Sequence, residues 1–575
     1  MQRGAMKDQK KIIRGKSIFE FVLGRNGYYV DKTLLAKEFL SNNDTVLVVP
    51  RPRRFGKTFN LSMLEYFFDI NKKENAHLFD DLKITKDKAF CKAHQSKYAV
   101  INITFKNSKG IDWESCFQFM KTEITELYRN HDYLLESPNL KEYEKNDIKK
   151  IILGEGSRND YIYSLFKLSQ YLYAHFEAKV IILIDEYDTP IIEGFSKGFY
   201  DEAIEFMRPL LGKALKDNLH LEKGLITGIM RIAKESLFSG LNNAGVYTLT
   251  SLAFSDKFGF TEEEMKEILA YFQLEDYFDD VKKWYDGYRF GDTTQIYNPW
   301  SIVNFVSRYE EGFKAWWVNT GSDTLIRKRI TEPDVENTYN TLQNLILGQT
   351  IERNLYENFS FPNFDIQKEL LWTLLTFAGY LTVAEPKGDD KYDLRIPNYE
   401  IRRVFKDIVV VWLEVEYRVV RFHLERTVQH LLNNRLKSFE EGLRQIMGDT
   451  ISYWDTAAEP ERVYQAYVLG VLAIIGNDYL VRSNRESGKG RYDVMIMPFD
   501  KSRVGILMEI KQVARNKNEK QASFNERINK TLREARAQME LKKYYQELVS
   551  HQITTIVKVP LVFAEKVPYV FPIDD

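Results

Sequence analysis

Cysteine is scarce in this chain, because only Cys91 and Cys116 occur among its 575 residues. The two cysteines form no Cys-x-x-Cys pair and lie near no histidine cluster, which argues against a structural zinc site. So small a number also excludes the framework of disulfide bonds that stabilises small secreted domains.

The chain also lacks an excess of charge of either sign. It has 81 Lys and Arg residues against 82 Asp and Glu residues, so any surface for nucleic acid must be local. No apolar run approaches the roughly 18 residues that span a bilayer. The basic start MQRGAMKDQKKIIRGK has no apolar centre, unlike a signal peptide. We therefore expect a cytoplasmic protein without membrane contact.

Apolar residues are plentiful, at 44% with 14% aromatic, and they suffice for several cores. In the first half, short apolar runs alternate with helical stretches, which predicts a parallel sheet with flanking helices. A mainly helical middle region follows, and then a small domain with the order αββαβ. The predicted boundaries of this α/β protein are 1–14 (a lead), 15–285, 286–446 and 447–575.

A strand-to-helix turn in the first domain carries Arg51-Pro-Arg-Arg-Phe-Gly-Lys-Thr58. Such a turn is typical of a P-loop, in which glycine lets the backbone approach phosphate, lysine reaches the β- and γ-phosphates, and threonine holds Mg²⁺. Arg51 stands where the usual pattern has its first glycine, so the loop is expected to differ in shape. An ordinary turn with a lysine is the alternative. The candidate nucleotide-binding residues here are Arg54, Gly56, Lys57 and Thr58.

A second apolar run, Val180–Ile184, leads into Asp185 and Glu186. At the end of a buried strand, Asp185 is placed to hold Mg²⁺ and Glu186 to orient or deprotonate the attacking water. Thr227 and Arg231 follow the next strand and are candidates for sensing the γ-phosphate and stabilising charge. Solvated carboxylates and purely structural roles remain the alternatives.

Several motifs together resemble one family. The segments 26–33, 51–64, 184–191, 227–243, 284–290 and 297–303 look like the AAA-ATPase-like family of bacterial proteins, over about residues 15 to 305. In that family RPRRFGKT is the usual phosphate loop. The resemblance therefore implies ATP as the ligand despite Arg51.

Near the carboxyl end, Asp493 and Glu509 lie on either side of the turn residues Asp500-Lys-Ser. A hairpin centred on Lys501 places these two carboxylates opposite each other. Lys511 follows Glu509 by two residues and so shares its face of the strand. Two facing carboxylates suit Mg²⁺ or Mn²⁺, and a nearby lysine can orient water and stabilise phosphate charge. A solvated hairpin is the alternative.

The spacing Asp-x15-Glu-x-Lys, with the run Asn484-Arg-Glu-Ser-Gly-Lys-Gly-Arg491, resembles the PD-(D/E)XK nuclease superfamily over about residues 447 to 570. The resemblance implies that Glu461 is the acidic residue of the first helix and a further metal ligand. It also implies that Gln538 is the polar residue of a later helix. Tyr492 replaces the usual proline before Asp493.

A local excess of positive charge follows this motif. Residues 511 to 536 contain eight basic side chains and three acidic ones, a patch that can contact backbone phosphates. An ordinary solvated helix face is the alternative. The basic residues are Lys511, Arg515, Lys517, Lys520, Arg527, Lys530, Arg533 and Arg536.

The sequence thus predicts an ATP-binding ATPase joined to a Mg²⁺-dependent nuclease that acts on DNA, with RNA as a second substrate class. The predicted catalytic residues are Glu186, Asp493, Glu509 and Lys511. Two alternatives stay open: a nucleotide-switched interaction or nucleic-acid-binding protein whose nuclease fold does not cut, and a regulatory ATPase with an inert tail. Whether the chain forms a homo-oligomer is also open.

Overall fold

The computed structural model describes residues 9–230, 244–317, 369–417, 421–448, 490–565 and 567–573, together with parts of 341–356 and 468–487. The described residues form two compact units. The first lies within 1–326 and 352–400, and the second within 327–351 and 401–575. Part of the predicted middle region, 286–326 and 352–400, therefore belongs to the first unit.

A five-stranded parallel sheet forms the centre of the first unit, in the order β2-β3-β4-β1-β5. Its inner strands are almost wholly buried, and β1 and β3 consist of apolar residues except for Asp185 at the end of β3, as expected for a parallel sheet covered on both faces. Four apolar runs of the sequence, 45–50, 98–105, 179–185 and 224–229, contribute strands to this sheet as predicted, and the structure adds β5. The strands are β1 (Val46–Val48), β2 (Ala99–Thr104), β3 (Val180–Asp185), β4 (Leu221–Ile226) and β5 (Ala244–Val246).

Helices connect β1 to β2, β2 to β3 and β3 to β4, as parallel pairing requires, and two more precede β1. Some begin at side-chain caps; Asp112 and Ser115, for example, form a reciprocal capping box at α5. The helices are α1 (Phe19–Leu23), α2 (Leu34–Ser41), α3 (Lys57–Phe68), α4 (Lys88–His94), α5 (Trp113–Arg129), α6 (Glu142–Ile152), α7 (Arg158–Ile162), α8 (Ser164–Phe176), α9 (Thr189–Lys197) and α10 (Tyr200–Leu215). Short 3₁₀ helices lie at Ile70–Phe79, Lys83–Lys86 and Asp132–Glu136.

The rest of the first unit mixes helices with two small sheets, β6–β7 and β8-β10-β9. Asn298 caps α13 by accepting the backbone N–H groups of Trp300 and Ser301, and Pro299 is the first residue of that helix. The elements are α11 (Glu262–Phe272), α12 (Phe278–Tyr285), β6 (Tyr288–Phe290), β7 (Thr293–Ile296), α13 (Pro299–Ser307), β8 (Ile351–Asn354), α14 (Leu370–Ala378), β9 (Thr382–Gly388) and β10 (Lys391–Arg395), with 3₁₀ helices at Glu275–Tyr277 and Tyr309–Glu311.

The second unit contains a five-stranded mixed sheet in the order β11-β12-β13-β14-β15, in which only β13 and β14 are parallel. The structure adds two strands to the predicted order, because 479–498 forms two strands and β15 follows the last one. Its elements are α15 (Tyr399–Tyr417, shared with the first unit), α16 (Arg421–Leu432), α17 (Leu436–Gly448), β11 (Tyr479–Ser487), β12 (Gly490–Pro498), β13 (Gly505–Val513), α18 (Gln521–Leu541), α19 (Gln546–Ser550), β14 (Ile556–Ala564) and β15 (Val567–Tyr569).

Helix α18 makes the crossover between β13 and β14 and packs against both strands. Its buried residues recur every three or four positions, so one apolar stripe faces the sheet and the polar side chains point outward. The stripe consists of Phe524, Ile528, Leu532, Ala535 and Met539. Among the helices that the structure describes, none has the length and apolar character needed to cross a membrane.

Candidate functional site

The turn between β1 and α3 has left-handed backbone at Arg54 and Gly56, whose φ angles are +69° and +86°. The left-handed backbone at Gly56 favours glycine, and a Cβ built there would meet no other atom within 4 Å. The guanidinium of Arg54 lies 4.3 Å from the centre of the Trp300 ring. The turn therefore leaves open space in front of Gly56.

Arg51, which replaces the expected glycine, is a structural cross-link. Its fully buried guanidinium donates to the carbonyl oxygens of Pro50 and Tyr247 at 2.8 Å, of Thr248 at 3.1 Å and of Phe254 at 3.2 Å. Burial lowers the pKa of Arg51 to about 9. The side chain thus ties the start of the turn to the chain that follows β5.

Lys57 begins α3 and is buried within the turn. Its Nζ donates to the carbonyl oxygens of Arg51 at 3.0 Å and Pro52 at 3.1 Å. Burial lowers the pKa of Lys57, while the carboxylates of Glu186 and Asp185 oppose that shift. The ammonium group is therefore held inside the turn by backbone oxygens.

Asp185, the last residue of β3, joins a threonine of the first turn of α3 to a threonine that directly follows β4. Its Oδ2 accepts the hydroxyl of Thr58 at 2.5 Å, and its Oδ1 accepts the hydroxyl of Thr227 at 2.7 Å. Burial, followed by the neighbouring charge of Glu186, raises the pKa of Asp185. The structure therefore brings together three residues that the sequence analysis selected from separate segments.

Glu186 follows Asp185 with a left-handed backbone, at a φ of +50°. Its Oε2 accepts the hydroxyl of Thr189 at 3.4 Å, next to the start of α9. Asp185 is buried, with 2% of its surface exposed, whereas Glu186 is only half-buried. The two adjacent carboxylates therefore have different surroundings.

The sequence analysis missed the two residues that come next. The Tyr187 hydroxyl donates to the carbonyl oxygen of Met230 at 2.7 Å, and Asp188 Oδ2 accepts the backbone N–H groups of Ile229 at 2.7 Å and Met230 at 3.1 Å. Burial raises the pKa of Asp188 to about 6. The second aspartate of Asp-Glu-Tyr-Asp was the available signal, but only the fold shows which groups it binds.

In the second unit, β12 and β13 pair with Val494 opposite Met508. One step further along this register places Asp493 opposite Glu509, so the predicted hairpin register is confirmed. Asp493 Oδ2 accepts the backbone N–H of Ile510 at 2.7 Å. The carboxylates of Asp493 and Glu509 therefore lie near each other on neighbouring strands.

Glu509 is buried, with 1% of its surface exposed. Its Oε1 lies 3.0 Å from Lys511 Nζ and also accepts the side-chain amide of Gln538. Its Oε2 is buried and has no hydrogen-bond partner among the residues that the structure describes. Burial, followed by the charge of Asp493, raises the pKa of Glu509 to about 7.

Aromatic hydroxyls extend this cluster. Gln538 also donates to the Tyr544 hydroxyl at 3.2 Å, and the Tyr492 and Tyr544 rings contact each other with centres 6.4 Å apart. Tyr492, which occupies the usual proline position, donates to Glu547 at 3.1 Å. Sequence reasoning selected Gln538 only by resemblance and missed Tyr544, because neither residue lies on the hairpin.

Comparison with known families locates two domains. Residues 14–238 match the model of a predicted AAA-ATPase family, and residues 459–569 match that of the PD-(D/E)XK nuclease superfamily. The chain carries both domains. The first site described above therefore lies in the AAA-ATPase-like domain and the second in the PD-(D/E)XK domain.

Two individual proteins are similar over longer stretches. An uncharacterized protein from the vnfD 5' region of Azotobacter chroococcum mcd 1 is 23% identical over 481 residues, which cover 82% of this chain and 84% of that protein. A Walker-type ATPase of Pyrococcus abyssi aligns at 14% identity and a TM-score of 0.37, over 65% of this chain and 94% of the other.

A cavity of about 370 Å³ opens at the phosphate-loop turn of the first unit. Arg54, Gly56, Lys57, Thr58 and Glu186 all line it, so the structure gathers these predicted residues around one space. Six more cations that sequence reasoning missed also line this cavity, and they are Lys16, Lys32, Arg53, Lys106, Lys109 and Lys257. The turn is therefore the bottom of a basic cavity.

Two predicted residues, Arg231 and Glu461, lie outside the described residues. Within the part of the chain that is described, no group of three or more His, Cys, Asp or Glu side chains is arranged to hold a metal ion. The PD-(D/E)XK site thus presents the pair Asp493 and Glu509. In the predicted basic segment, Arg527 is paired with Glu519 at 2.7 Å, while most of the other cations are exposed.

Proposed function

We propose that the AAA-ATPase-like domain binds and hydrolyses ATP with Mg²⁺. The contact of Asp185 with both Thr58 and Thr227 carries this proposal, because it joins the phosphate-loop threonine to an acid at the end of β3, another strand of the same sheet. Carboxylate and hydroxyl oxygens are the ligands that Mg²⁺ accepts in proteins. The residues present therefore fit the ion.

Lys57 supports the nucleotide part of the proposal. Its ammonium group donates to two carbonyl oxygens of the turn, which phosphate oxygens can replace. The cations around the cavity suit a polyanion, and the backbone N–H groups at the start of α3 add favourable dipoles. When bound, Mg²⁺ would neutralise phosphate charge.

Glu186 is assigned as the residue that orients or deprotonates the attacking water. Glu186 lines the cavity, whereas the buried Asp185 accepts hydrogen bonds from the hydroxyls of Thr58 and Thr227. An exposed carboxylate can accept a proton from water, while one that is bonded to metal-binding hydroxyls serves the metal. This difference in surroundings supports two roles for two adjacent acids.

We further propose that the PD-(D/E)XK domain cleaves DNA with Mg²⁺, or with Mn²⁺ in its place. The buried Glu509 Oε2, which has no partner among the described residues, fits a site for a hard cation beside Asp493. When bound, the ion would polarise the phosphodiester. The Lys511 ammonium group lies 3.0 Å from Oε1, the other carboxylate oxygen of Glu509. From this position it can orient water and stabilise phosphate charge.

The exposed cations of 515–536 support a polyanionic substrate, with DNA ahead of RNA as the expected class. Nucleotide binding would regulate cleavage in this proposal. A DNA-cleavage assay tests it most directly: plasmid, linear and single-stranded DNA are incubated with Mg²⁺ or Mn²⁺, with and without ATP. Protein that binds DNA and Mn²⁺ but never cleaves would instead be a nucleotide-switched binding module.

Calorimetric titration tests the nucleotide site separately. Lys57→Ala should weaken Mg-ATP binding about tenfold or more, because it removes a charge-assisted phosphate contact. Lys73→Ala, at an exposed position in the same unit, is the matched control and should bind like the wild type. Equal affinity in the Lys57 variant would contradict the P-loop assignment.

A further inference from the structure

A short turn directly follows β2 and borders the cavity at the phosphate loop. It comprises residues 105–110, and its members Lys106 and Lys109 line the cavity. Both lysines are exposed, whereas Phe105 and Ser108 of the same turn are buried. The turn therefore presents two ammonium groups on a buried base.

The pairing of β2 with β3 places this turn beside the proposed catalytic acid. Thr104 pairs with Asp185, and the Phe105 N–H donates to the Asp185 carbonyl oxygen at 3.0 Å. Lys106 follows Phe105 in the chain as Glu186 follows Asp185, and both Lys106 and Glu186 line the cavity. These two side chains therefore reach the cavity from the ends of neighbouring strands.

The order of the strands decides which phosphate of a nucleotide lies near the turn. The phosphate loop follows β1, and β4 and then β3 separate β1 from β2. The turn after β2 therefore lies beyond Glu186 as seen from the phosphate loop. In phosphoryl transfer the attacking and leaving oxygens lie in line on opposite sides of the γ-phosphorus. Cations next to the acid that serves the attacking water are therefore closest to the γ-phosphate.

The turn is fixed by two helices that pack against it. The Lys197 ammonium group of α9 donates to the Gly110 carbonyl oxygen at 2.7 Å, and the Cys116 thiol of α5 donates to the Ser108 carbonyl oxygen at 3.4 Å. A Cβ built on Gly110 would come within 2.2 Å of the Cys116 backbone nitrogen, so α5 lies directly on the turn. The backbone that carries the two lysines is therefore in place before a ligand binds, as electrostatic catalysis requires.

The ammonium groups of Lys106 and Lys109 are available for a ligand. Among the residues that the structure describes, neither group forms a hydrogen bond or an ion pair with another side chain or with the backbone. Lys32 and Lys257, which line the same cavity, are each paired with an acidic side chain instead. The two lysines of the turn therefore differ from other cations of the cavity in being able to meet an anion without giving up a protein partner.

We propose that Lys106 and Lys109 bind the γ-phosphate of ATP and stabilise the charge on the phosphoryl group during hydrolysis. The inference rests on the proposed ATPase function and adds two catalytic residues to it. In the reaction the water oxygen bonds to the γ-phosphorus, the bond from that phosphorus to the bridging oxygen breaks, and ADP leaves with the electron pair. The proton of the water passes to Glu186, while the two ammonium groups keep their protons and neutralise phosphate oxygens.

This assignment means that the chain supplies its own stabilising cations. Phosphoryl-transfer enzymes commonly use an arginine for this purpose, from the same chain or from a second protein. Here the fixed turn after β2 would take that role without a second protein. Residues that act on the γ-phosphate distinguish ATP from ADP, because ADP lacks that group.

A double variant, Lys106→Ala with Lys109→Ala, tests the inference in the full chain. In calorimetric titrations its affinity for Mg-ATP should fall about tenfold or more, because charge-assisted phosphate contacts are lost, while its affinity for Mg-ADP stays that of the wild type. Phosphate release should fall by about 10²-fold or more, as expected when charge stabilisation is removed. Replacing both lysines by arginine should restore the preference for ATP over ADP.

Lys88→Ala with Lys92→Ala is the matched control, because it removes two exposed lysines of α4 that do not line the cavity. This control should bind and hydrolyse ATP like the wild type. Equal losses of ATP and ADP affinity in the Lys106 and Lys109 variant would overturn the inference, and so would unchanged phosphate release. A wild-type protein that binds neither nucleotide would instead overturn the proposed ATPase function, so the two failures are distinguishable.

Discussion

Asp188 and Ile229 are joined by a hydrogen bond of 2.7 Å, from the backbone N–H of Ile229 to Asp188 Oδ2, although 41 residues separate them. The same oxygen accepts the N–H of Met230, the residue before Arg231. Asp188 thus connects the acidic end of β3 to the segment that follows β4. We infer that it positions this segment and does not itself touch the nucleotide.

Asp188→Ala should destabilise the first unit by roughly 2–3 kcal/mol, because two buried N–H groups lose a charged acceptor. ATP turnover should also fall, since the segment leading to Arg231 is released. Urea unfolding and phosphate release measure the two effects. Glu202→Ala, at an exposed position in the same unit, is the control and should alter neither.

Glu186→Gln should leave Mg-ATP affinity near that of the wild type but lower turnover by about 10²-fold or more, as expected for loss of a general base. Asp185→Asn should instead weaken the Mg²⁺-dependent binding of ATP, because the Asp185 carboxylate accepts the hydroxyls of Thr58 and Thr227. Calorimetry and phosphate release distinguish the two variants. Identical behaviour of the two would argue against separate roles.

Two arginines of the turn, Arg51 and Arg53, should behave differently. Arg51→Met should lower stability by roughly 2–4 kcal/mol, because four backbone carbonyl oxygens lose their donor. Arg53→Met should mainly weaken Mg-ATP binding, since Arg53 lines the cavity. Thermal unfolding and calorimetry check this, and an Arg51 variant of full stability would show that the cross-link is dispensable.

Asp493→Asn and Glu509→Gln should each abolish metal-dependent cleavage, because either change removes an anionic ligand. Lys511→Ala should slow cleavage and keep most metal binding. Glu534→Gln, at an exposed position on α18, is the control and should cleave normally. DNA binding, measured by anisotropy, should survive in all four and weaken as salt rises. A wild-type protein that never cleaves would contradict the prediction.

Glu400 should make stability depend on pH. It is fully buried, accepts the Ser301 hydroxyl at 2.7 Å and the Trp317 N–H at 2.7 Å, and its pKa is raised by burial from 4.5 to about 7. Between these values the folded state holds a proton that the unfolded state releases. The free energy of unfolding therefore falls as pH rises through this window, by roughly 3 kcal/mol.

Glu400→Gln removes this titration. The decline in the urea midpoint between pH 5 and pH 8 should therefore be smaller in the variant than in the wild type. Comparing the two slopes separates Glu400 from other carboxyl groups, which titrate equally in both proteins. Equal slopes of the urea midpoint against pH in the two proteins would mean that Glu400 is charged over the whole pH range.

Local patterns in the sequence were sufficient for the main outline of the fold. Buried parallel strands appear as continuous apolar runs, so four of the five strands in the first sheet could be predicted. β5 could not, because Ala244–Val246 is short and has no such run. The β12–β13 register was also predictable, since a short turn fixes which residues of a hairpin face each other.

The candidate residues on strand ends and turns were visible in the sequence for a related reason. Lys57, Thr58, Asp185 and Glu186 carry chemistry at the points where apolar runs end, and Asp493, Glu509 and Lys511 share one hairpin. Local spacing alone places such residues. It does not state what any one of them contacts across the fold.

Tertiary structure decided the contacts between distant segments. Arg51 is a cross-link because the chain after β5 presents carbonyl oxygens to it, and Asp188 holds residues 229–230 because β3 and β4 are neighbours in the sheet. Ile12 lines the cavity only because Lys11 pairs with Gly27. The sequence by itself determined the strands, the hairpin register and the reactive groups. Their long-range partners depend on strand order and packing, which local residue patterns do not encode.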